Sequence, residues 1–441
     1  MNIDKLLNNF IPKHMKDRGI NVLNANFFPI KDLLEHRVVP ENNWDEETIK
    51  FFFRILSQMD TDKDLKGVRV GEREARVASN YVGSLAAFFC HGIGRGGRII
   101  GAQPKAPGAS ILQNIGNRLA LDFLKKLGNP GLKGAIVLPL ATGMSISLAL
   151  ATIRDETKKT EIIYPRADHR SPLKAIEFIG LKPVIIEGII NDHGGVEIPI
   201  ENIENAITDK TAAILSTTSF FPPRECDNIK EIAKIAKANK IGHIINNAYG
   251  AQNQFFMKKI QGAIDAGRVD AIIQSTDKNF LTPVGGAIIS SPDKDFLDKV
   301  TEKYAGRASA APIIQFVAAV LSLGLKRYFN LQEEQKKNRI LLEKELKIIA
   351  EKYGERVLKI ESPISCALTI NTRNAKTFGG VLYELRITGT RAIEKNSKWG
   401  PSIDNYPDSY MSLSAAIGAT EEDILKAFER IDKAFQQTNK K

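Results

Sequence analysis

The sequence lacks the features of several common protein classes. Its 441 residues contain no run of about 20 apolar residues, so no membrane span and no membrane partner are expected. Its 3 cysteines, Cys90, Cys226 and Cys366, lie far apart beside apolar residues. That argues against a disulfide framework and for buried free thiols in a reducing cytoplasm. The 6 histidines show no ligand spacing, so no structural metal is expected. The stretch MNIDKLLNNFIPKHMKD lacks the pattern of a cleavable leader. No internal repeat or low-complexity segment occurs. Acidic residues are in the minority, 51 against 62 Lys and Arg, which leaves a net charge of +11. A basic balance suits a polyanionic partner, because Lys and Arg displace counterions from phosphates. Solvated faces, including Lys440-Lys441, would give the same sum.

What is present is globular in composition, 43% hydrophobic and 26% charged. Residues 1–66 read as a helical, mixed-charge extension. Within it, Asp45 to Met59 has apolar residues at helical spacing, with Asn43 or Asp45 as a cap. Residues 67–108 are rich in Gly and Arg, around an apolar helical stretch from Tyr81 to Cys90. From Ala135 apolar strands recur at 135–140, 161–164, 183–187, 212–217, 243–246, 271–274 and 287–290. Helical patterns at 174–179, 228–238 and 252–266 separate some of them. Such alternation predicts a mostly parallel sheet covered on both faces, with an antiparallel strand near 287–290. Long helices are expected over 311–352. A small α+β domain should follow, with strands at 365–370, 388–393 and 410–414 and a final helix capped by Thr420 and Asp423. The divisions are 1–66, 67–330 for a catalytic domain, and 331–441.

Lys278 lies in a polar turn between two apolar strands. Many turn lysines are simply solvated. One held as an imine to a carbonyl cofactor escapes the cost of burying its charge, which makes Lys278 a candidate for pyridoxal phosphate (PLP). Three other stretches fall where such a site needs them. Thr142, Gly143 and Met144 follow a strand and open a helix, where free amides can hold a phosphate; an ordinary strand–helix turn reads the same way. His169 can stack on a cofactor ring, while Ser171 reads as a helix N-cap. Asn246 ends an apolar strand where aspartate aminotransferase-like enzymes place an acid against the ring nitrogen, and Ala248 would pack on the ring face. An amide there gives a weaker electron sink than a carboxylate. Ser275 can add a hydroxyl to the cofactor phosphate. The order of phosphate turn, stacking residue, ring partner and lysine favours PLP.

The motifs VGEREARVAS, HGIGRGG, AQPKAPG, ATGMS, STTSFFPPR, INNAYGAQ, QSTDKNF, PVGGAI and GRASA together closely resemble O-phosphoseryl-tRNA:selenocysteinyl-tRNA synthase of the archaeal type, over nearly the whole chain. The resemblance implies a fold-type-I PLP-dependent transferase and a homotetramer. It implies conversion of O-phosphoseryl-tRNA(Sec) to selenocysteinyl-tRNA(Sec), with selenophosphate as selenium donor. Lys278 would then hold the cofactor, with Asn246 on its ring nitrogen and Arg73 beside it. Arg95, Gly96, Gln103 and Arg307 would grip the substrate phosphate; Gly96 stands where eukaryotic members carry serine. Arg391 resembles a tRNA contact. The implied partner is RNA and not DNA.

Two readings of the residues agree with this. Three arginines and a glutamine exceed what one cofactor phosphate needs. The late strand SYMSLSAAIG carries no arginine for a free carboxylate, as suits a carboxyl esterified to tRNA. Two rivals remain at this level. One is a cysteine desulfurase or lyase acting on a free amino acid, which wants a reactive loop cysteine and a carboxylate arginine; none of the three cysteines lies in a Gly/Ser-rich loop, and Cys226, after PPRE, is the one left open. The other is a silent tRNA-binding protein on the same fold.

Overall fold

The computed structural model describes residues 3–438; Lys440-Lys441 lie outside them. Its strands in chain order are β1 (Gly134–Leu138), β2 (Glu161–Pro165), β3 (Lys182–Ile186), β4 (Ile189–Ile190), β5 (Val196–Glu197), β6 (Thr211–Thr217), β7 (Gly242–Asn246), β8 (Ala271–Ser275), β9 (Ala287–Ser291), β10 (Ser365–Thr369), β11 (Arg391–Ile393) and β12 (Tyr410–Ser414). Seven form the central sheet, in the order β1-β9-β8-β7-β6-β2-β3. Strand β9 is antiparallel to both neighbours, and the other pairings are parallel. Strands β6 to β9 are buried at every position, because helices cover both faces, so the sequence shows unbroken apolar runs there and no alternation. The expected strands and their order stand. The two-residue ribbon of β4 and β5 was too short to read from a pattern.

Several local expectations are corrected. The stretch Tyr81–Cys90 is not one helix. Only Asn80–Ser84 is helical, and Ala87 and Phe88 then take positive φ. Ser171 is not the cap of its helix; His169 is, its ring nitrogen accepting from the Ser171 N–H. Of the two candidate caps for helix Glu46–Ser57, Asp45 serves, accepting from Thr48 N–H at 2.9 Å. Strand β11 begins at Arg391 and not at Thr388. The N-terminal extension is also less of an appendage than its pattern suggests. Ile30, Leu33, Ile49, Phe52 and Leu56 belong to the main core.

Helix Ala311–Tyr353 joins the two large cores. Its residues to Tyr328 pack in the main core, and those from Leu342 pack against β10, β12 and the last helix. The division drawn at 330/331 therefore falls inside a helix. A kink at Gly324 (φ 59°) lets residues 40–44 cross it. There Trp44 N–H donates to Leu321 O, and the amides of Leu325 and Lys326 donate to Pro40 O and Glu41 O. The kink thus satisfies backbone groups that a break in the helix would orphan. Among the described residues this is the one helix long and apolar enough to cross a membrane, and half of its most apolar window is buried inside the protein. The three-stranded sheet β10-β12-β11 and the helices Ala375–Glu384 and Glu421–Gln437 complete the small domain. The Thr420–Asp423 capping box is present.

Candidate active site

The turns that leave β1, β2, β7 and β8 at their carboxyl ends converge on one cavity of about 170 Å³. A crevice at the carboxyl ends of parallel strands is where open α/β sheets bind ligands. Thr142, Gly143, His169, Asn246, Ala248, Ser275 and Lys278 all line it. Sheet geometry brings them together from residues well over a hundred positions apart.

Lys278 sits in a one-turn helix, Thr276–Phe280, and not in an open turn. Its side chain is 48% exposed, so the desolvation argument for it fails, although its place in the cavity stands. Its Nζ lies 3.5 Å from Ser275 Oγ and 3.6 Å from an Asp277 carboxylate oxygen. The Ser275 hydroxyl itself donates to Asp277. Helix Thr142–Thr157 aims its first turn at the cavity with no side-chain cap. The side chain of Met144 is exposed and is not among the lining residues. His169 meets Phe220 edge-on at 6.4 Å. Its Nδ1 accepts the Ser171 N–H at 3.2 Å, so that nitrogen carries no proton. Burial, then the charges of Lys278 and Arg391, hold its pKa below the usual histidine value, which favours a neutral ring.

The cavity wall holds polar atoms with no partner. Thr142 Oγ1 and Asn246 Oδ1 are buried without a hydrogen-bond partner in the chain. Buried polar atoms left unpaired are costly, and such a group invites a ligand that pairs with it. Asn246 Oδ1 is an acceptor suited to a ring N–H, and Thr142 Oγ1 and the adjacent amides suit a phosphate. These residues fit pyridoxal phosphate. Ser219, Phe221 and Tyr249 were missed as site residues, although two quoted motifs, STTSFFPPR and INNAYGAQ, contain them.

The residues assigned to the substrate phosphate do not line this cavity. Arg73, expected beside the cofactor, and Arg307 line a second cavity of about 510 Å³, together with Arg76 and His91. Arg307 donates to His91 O, and its Nε is buried and unpaired. Arg95 and Gly96 form an exposed hairpin tip. Arg95 and Arg98 exchange two backbone hydrogen bonds of 3.0 Å across Gly96 and Gly97, both at positive φ. Two successive positive φ values explain the glycine pair. The Gln103 amide donates to Ser110 Oγ at 2.9 Å, and its Oε1 accepts from Lys105 N–H at 3.3 Å. Arg391 lies over the Phe221 ring, 4.4 Å from its centroid, and is not on an open outer face. Burial raises the pKa of all three thiols, those of Cys226 and Cys366 to about 12. No cluster of metal-ligating side chains occurs among the described residues.

A mostly parallel sheet with a lysine at the end of one strand, an asparagine at the end of its neighbour and an uncapped helix start, all on one cavity, fits a fold-type-I PLP-dependent enzyme. Known proteins sharpen this. The profile described as O-phosphoseryl-tRNA(Sec) selenium transferase, SepSecS, matches residues 59–436. The proteins of that name from Methanocaldococcus jannaschii and Methanococcus maripaludis are 44% and 42% identical to this chain. The alignments cover 96% and 98% of this chain and 98% and 99% of those proteins. The crystal structure of an archaeal SepSecS superposes with a TM-score of 0.93 at 42% identity, covering 97% of this chain and 99% of that one. The chain belongs to the O-phosphoseryl-tRNA(Sec) selenium transferase family. A cysteine desulfurase from Thermococcus onnurineus, at 13% identity and a TM-score of 0.58, shares the fold alone.

Proposed function

We propose that the cavity around Lys278 converts O-phosphoseryl-tRNA(Sec) to selenocysteinyl-tRNA(Sec), with selenophosphate as the selenium donor. Family membership supports the conversion, and the unpaired wall atoms at Asn246 and Thr142 support the cofactor. Pyridoxal phosphate supplies the electron sink that lets the Cα–H bond break and the Cβ–O bond to phosphate follow. The remaining work falls to the chain. Lys278 Nζ holds the cofactor, then takes the Cα proton of the phosphoseryl group and later returns it. Asn246 would hold the cofactor from its ring-nitrogen side, His169 would stack on it, and the start of helix Thr142–Thr157 would hold its phosphate. Ser275 orders Lys278 and Asp277 as well as facing the phosphate. The substrate phosphate leaves with the Cβ–O bonding electrons; the selenium of selenophosphate then adds at Cβ, and water cleaves its P–Se bond and releases a second phosphate.

Arg95, Gly96, Gln103 and Arg307 would receive the departing phosphate. Within one chain none of them lines the Lys278 cavity; Arg95, Gly96 and Gln103 belong to a segment that exposes Val68, Val70, Tyr81 and Leu85, and Arg307 packs against it at His91. We infer that a second copy brings this segment to the Lys278 cavity, in a homotetramer. Arg391, over Phe221, would contact the acceptor end of the tRNA as it enters. The chain would act in the cytoplasm.

The desulfurase reading fares worse. It needs an activated thiolate, and burial holds every thiol in its protonated form. The decisive test is Lys278→Ala. The variant should lose the visible absorbance of the lysine-bound cofactor and all phosphate release from O-phosphoseryl-tRNA. Retention of full activity would sink the assignment. Activity of the intact protein on free O-phosphoserine without tRNA would favour the desulfurase or lyase class.

A further inference from the structure

Behind the cavity, a buried set of side-chain amides holds the Lys278 turn. Gln252 is 1% exposed and Asn279 is fully buried. Gln252 Nε2 donates to the carbonyl of Lys278 at 3.0 Å, and Gln252 N–H donates to Asn279 Oδ1 at 3.1 Å. Asn279 Nδ2 donates to Ala248 O at 2.9 Å and to Ser275 O at 2.7 Å. Three of these bonds tie the segment after Asn246 to the turn that carries Lys278, and the fourth, to Ser275 O, closes that turn on itself. They fix the ring-face residue Ala248 and the ring partner Asn246 relative to the reacting amine.

Gln252 also reaches outward. Its Oε1 accepts from Gln335 Nε2 at 2.6 Å and from Ile417 N–H at 2.7 Å. Gln335 lies on the helix that joins the two cores, and Ile417 follows the last strand of the small domain. A buried network with its donors and acceptors paired rigidifies what it connects, and chained bonds polarise one another. Lys278 must hold the cofactor in one step and reach Cα in another. Its backbone is therefore a place where a small displacement reaches the chemistry.

On the reading of Lys278 given above, we propose that Gln252 is a positioning residue for it. Gln252 sets the register of the Lys278 turn against Ala248 and Asn246, and it ties that register to the small domain through Ile417. Gln252 and Asn279 do not line the cavity and act on it through the backbone of Lys278, Ala248 and Ser275.

The test is Gln252→Glu in the intact protein. The substitution keeps length and keeps an acceptor for Gln335 and Ile417, but it turns a carboxylate oxygen toward the Lys278 carbonyl. The expected result is a fall of about 10²-fold in kcat for phosphate release, with KM for O-phosphoseryl-tRNA changed by less than about threefold. The visible circular dichroism of the bound cofactor, which reports the tilt of its ring, should change as well. Leu346→Ala, in the small-domain core, serves as the comparison: it should lower Tm while leaving dichroism unchanged. If Gln252→Glu lowers Tm as Leu346→Ala does but keeps wild-type kcat and dichroism, the inference is overturned. Should Gln252→Glu not fold, Gln335→Leu removes one bond to Gln252 Oε1 and leaves the donor on Lys278; it should lower kcat and alter the dichroism less, and wild-type values there would overturn the inference equally. A wild-type protein without a visible cofactor band would overturn the PLP reading together with this one. With the band present, only the role of Gln252 is at stake.

Discussion

His243 should make the protein lose stability as the pH falls below neutrality. It lies on β7, the strand that ends at Asn246, and is completely buried. Its Nδ1 lies 3.1 Å from Arg268 O, and its Nε2 lies 2.8 Å from Ser216 Oγ. A carbonyl can only accept, so Nδ1 carries the proton and Nε2 accepts from the serine hydroxyl. Burial pushes the pKa from 6.5 down to about 4. The unfolded chain then binds a proton at a higher pH than the folded one. Stability is fully present above about pH 6.5 and is lost as the pH drops toward 4. At about 1.4 kcal/mol per pH unit, the gap is worth about 3 kcal/mol, of which about 2 kcal/mol or more is lost by pH 4.5. His91 and His169, also lowered, slope the same way, whereas Asp60 and Asp270, raised by burial, slope the opposite way. The difference between the wild type and His243→Gln cancels these shared contributions. Urea unfolding followed by far-UV circular dichroism, at fixed protein concentration and ionic strength, should show the wild type losing that amount relative to the variant between pH 7.5 and 4.5. A flat difference across that range would refute the assignment of a buried neutral imidazole.

Three further outcomes follow from the site and the fold. Arg307→Ala should slow phosphate release from O-phosphoseryl-tRNA by about 10²-fold or more while leaving PLP affinity near wild type; equal losses in stopped-flow release and cofactor titration would remove its substrate-phosphate role. Cys226→Ser should keep kcat within about twofold, because its thiol lies outside the Lys278 cavity and has no part in the proposed chemistry, and abolition of turnover would revive the desulfurase class. Gly324→Ala should cost about 3 kcal/mol, since the new Cβ would meet Asn42 C at 2.6 Å at a φ of 59°; an unchanged Tm would mean that residues 40–44 do not cross the helix there.

The parts of the site that stood out in the sequence were those carried by buried strands. Unbroken apolar runs marked β7 and β8; the end of β7 at Asn246 was located to the residue, and β8 runs one residue past the expected Gln274, to Ser275. The local reasoning at Lys278 was weaker. Its burial was argued from flanking apolar residues, yet a one-turn helix leaves the side chain half exposed. Tyr81–Cys90 failed for a related reason. Its spacing is helical, but Ala87 and Phe88 turn the chain, and Tyr81 and Leu85 stay exposed within one chain. A pattern of apolar residues says that a surface is covered and not what covers it. Ser171 lost the cap to His169 because a histidine ring nitrogen can accept as a hydroxyl does. Gln252 and Asn279 could not be found from sequence. Apart from Ser275, their partners named above lie 26 to 165 positions away, and glutamine carries no periodic signal.

The helix Ala311–Tyr353 has a consequence for how the molecule comes apart. Two domains joined by a flexible linker can melt one after the other, and a protease can cut between them. Here the same helix supplies Phe316, Val317 and Tyr328 to one core and Leu342, Leu346 and Ile349 to the other. Fraying the helix from its C-terminal end removes a wall of the small domain and carries Gln335 away from Gln252. Denaturation should therefore run as one cooperative transition, with cofactor release coincident with loss of the small domain, and limited proteolysis should not liberate a stable C-terminal fragment.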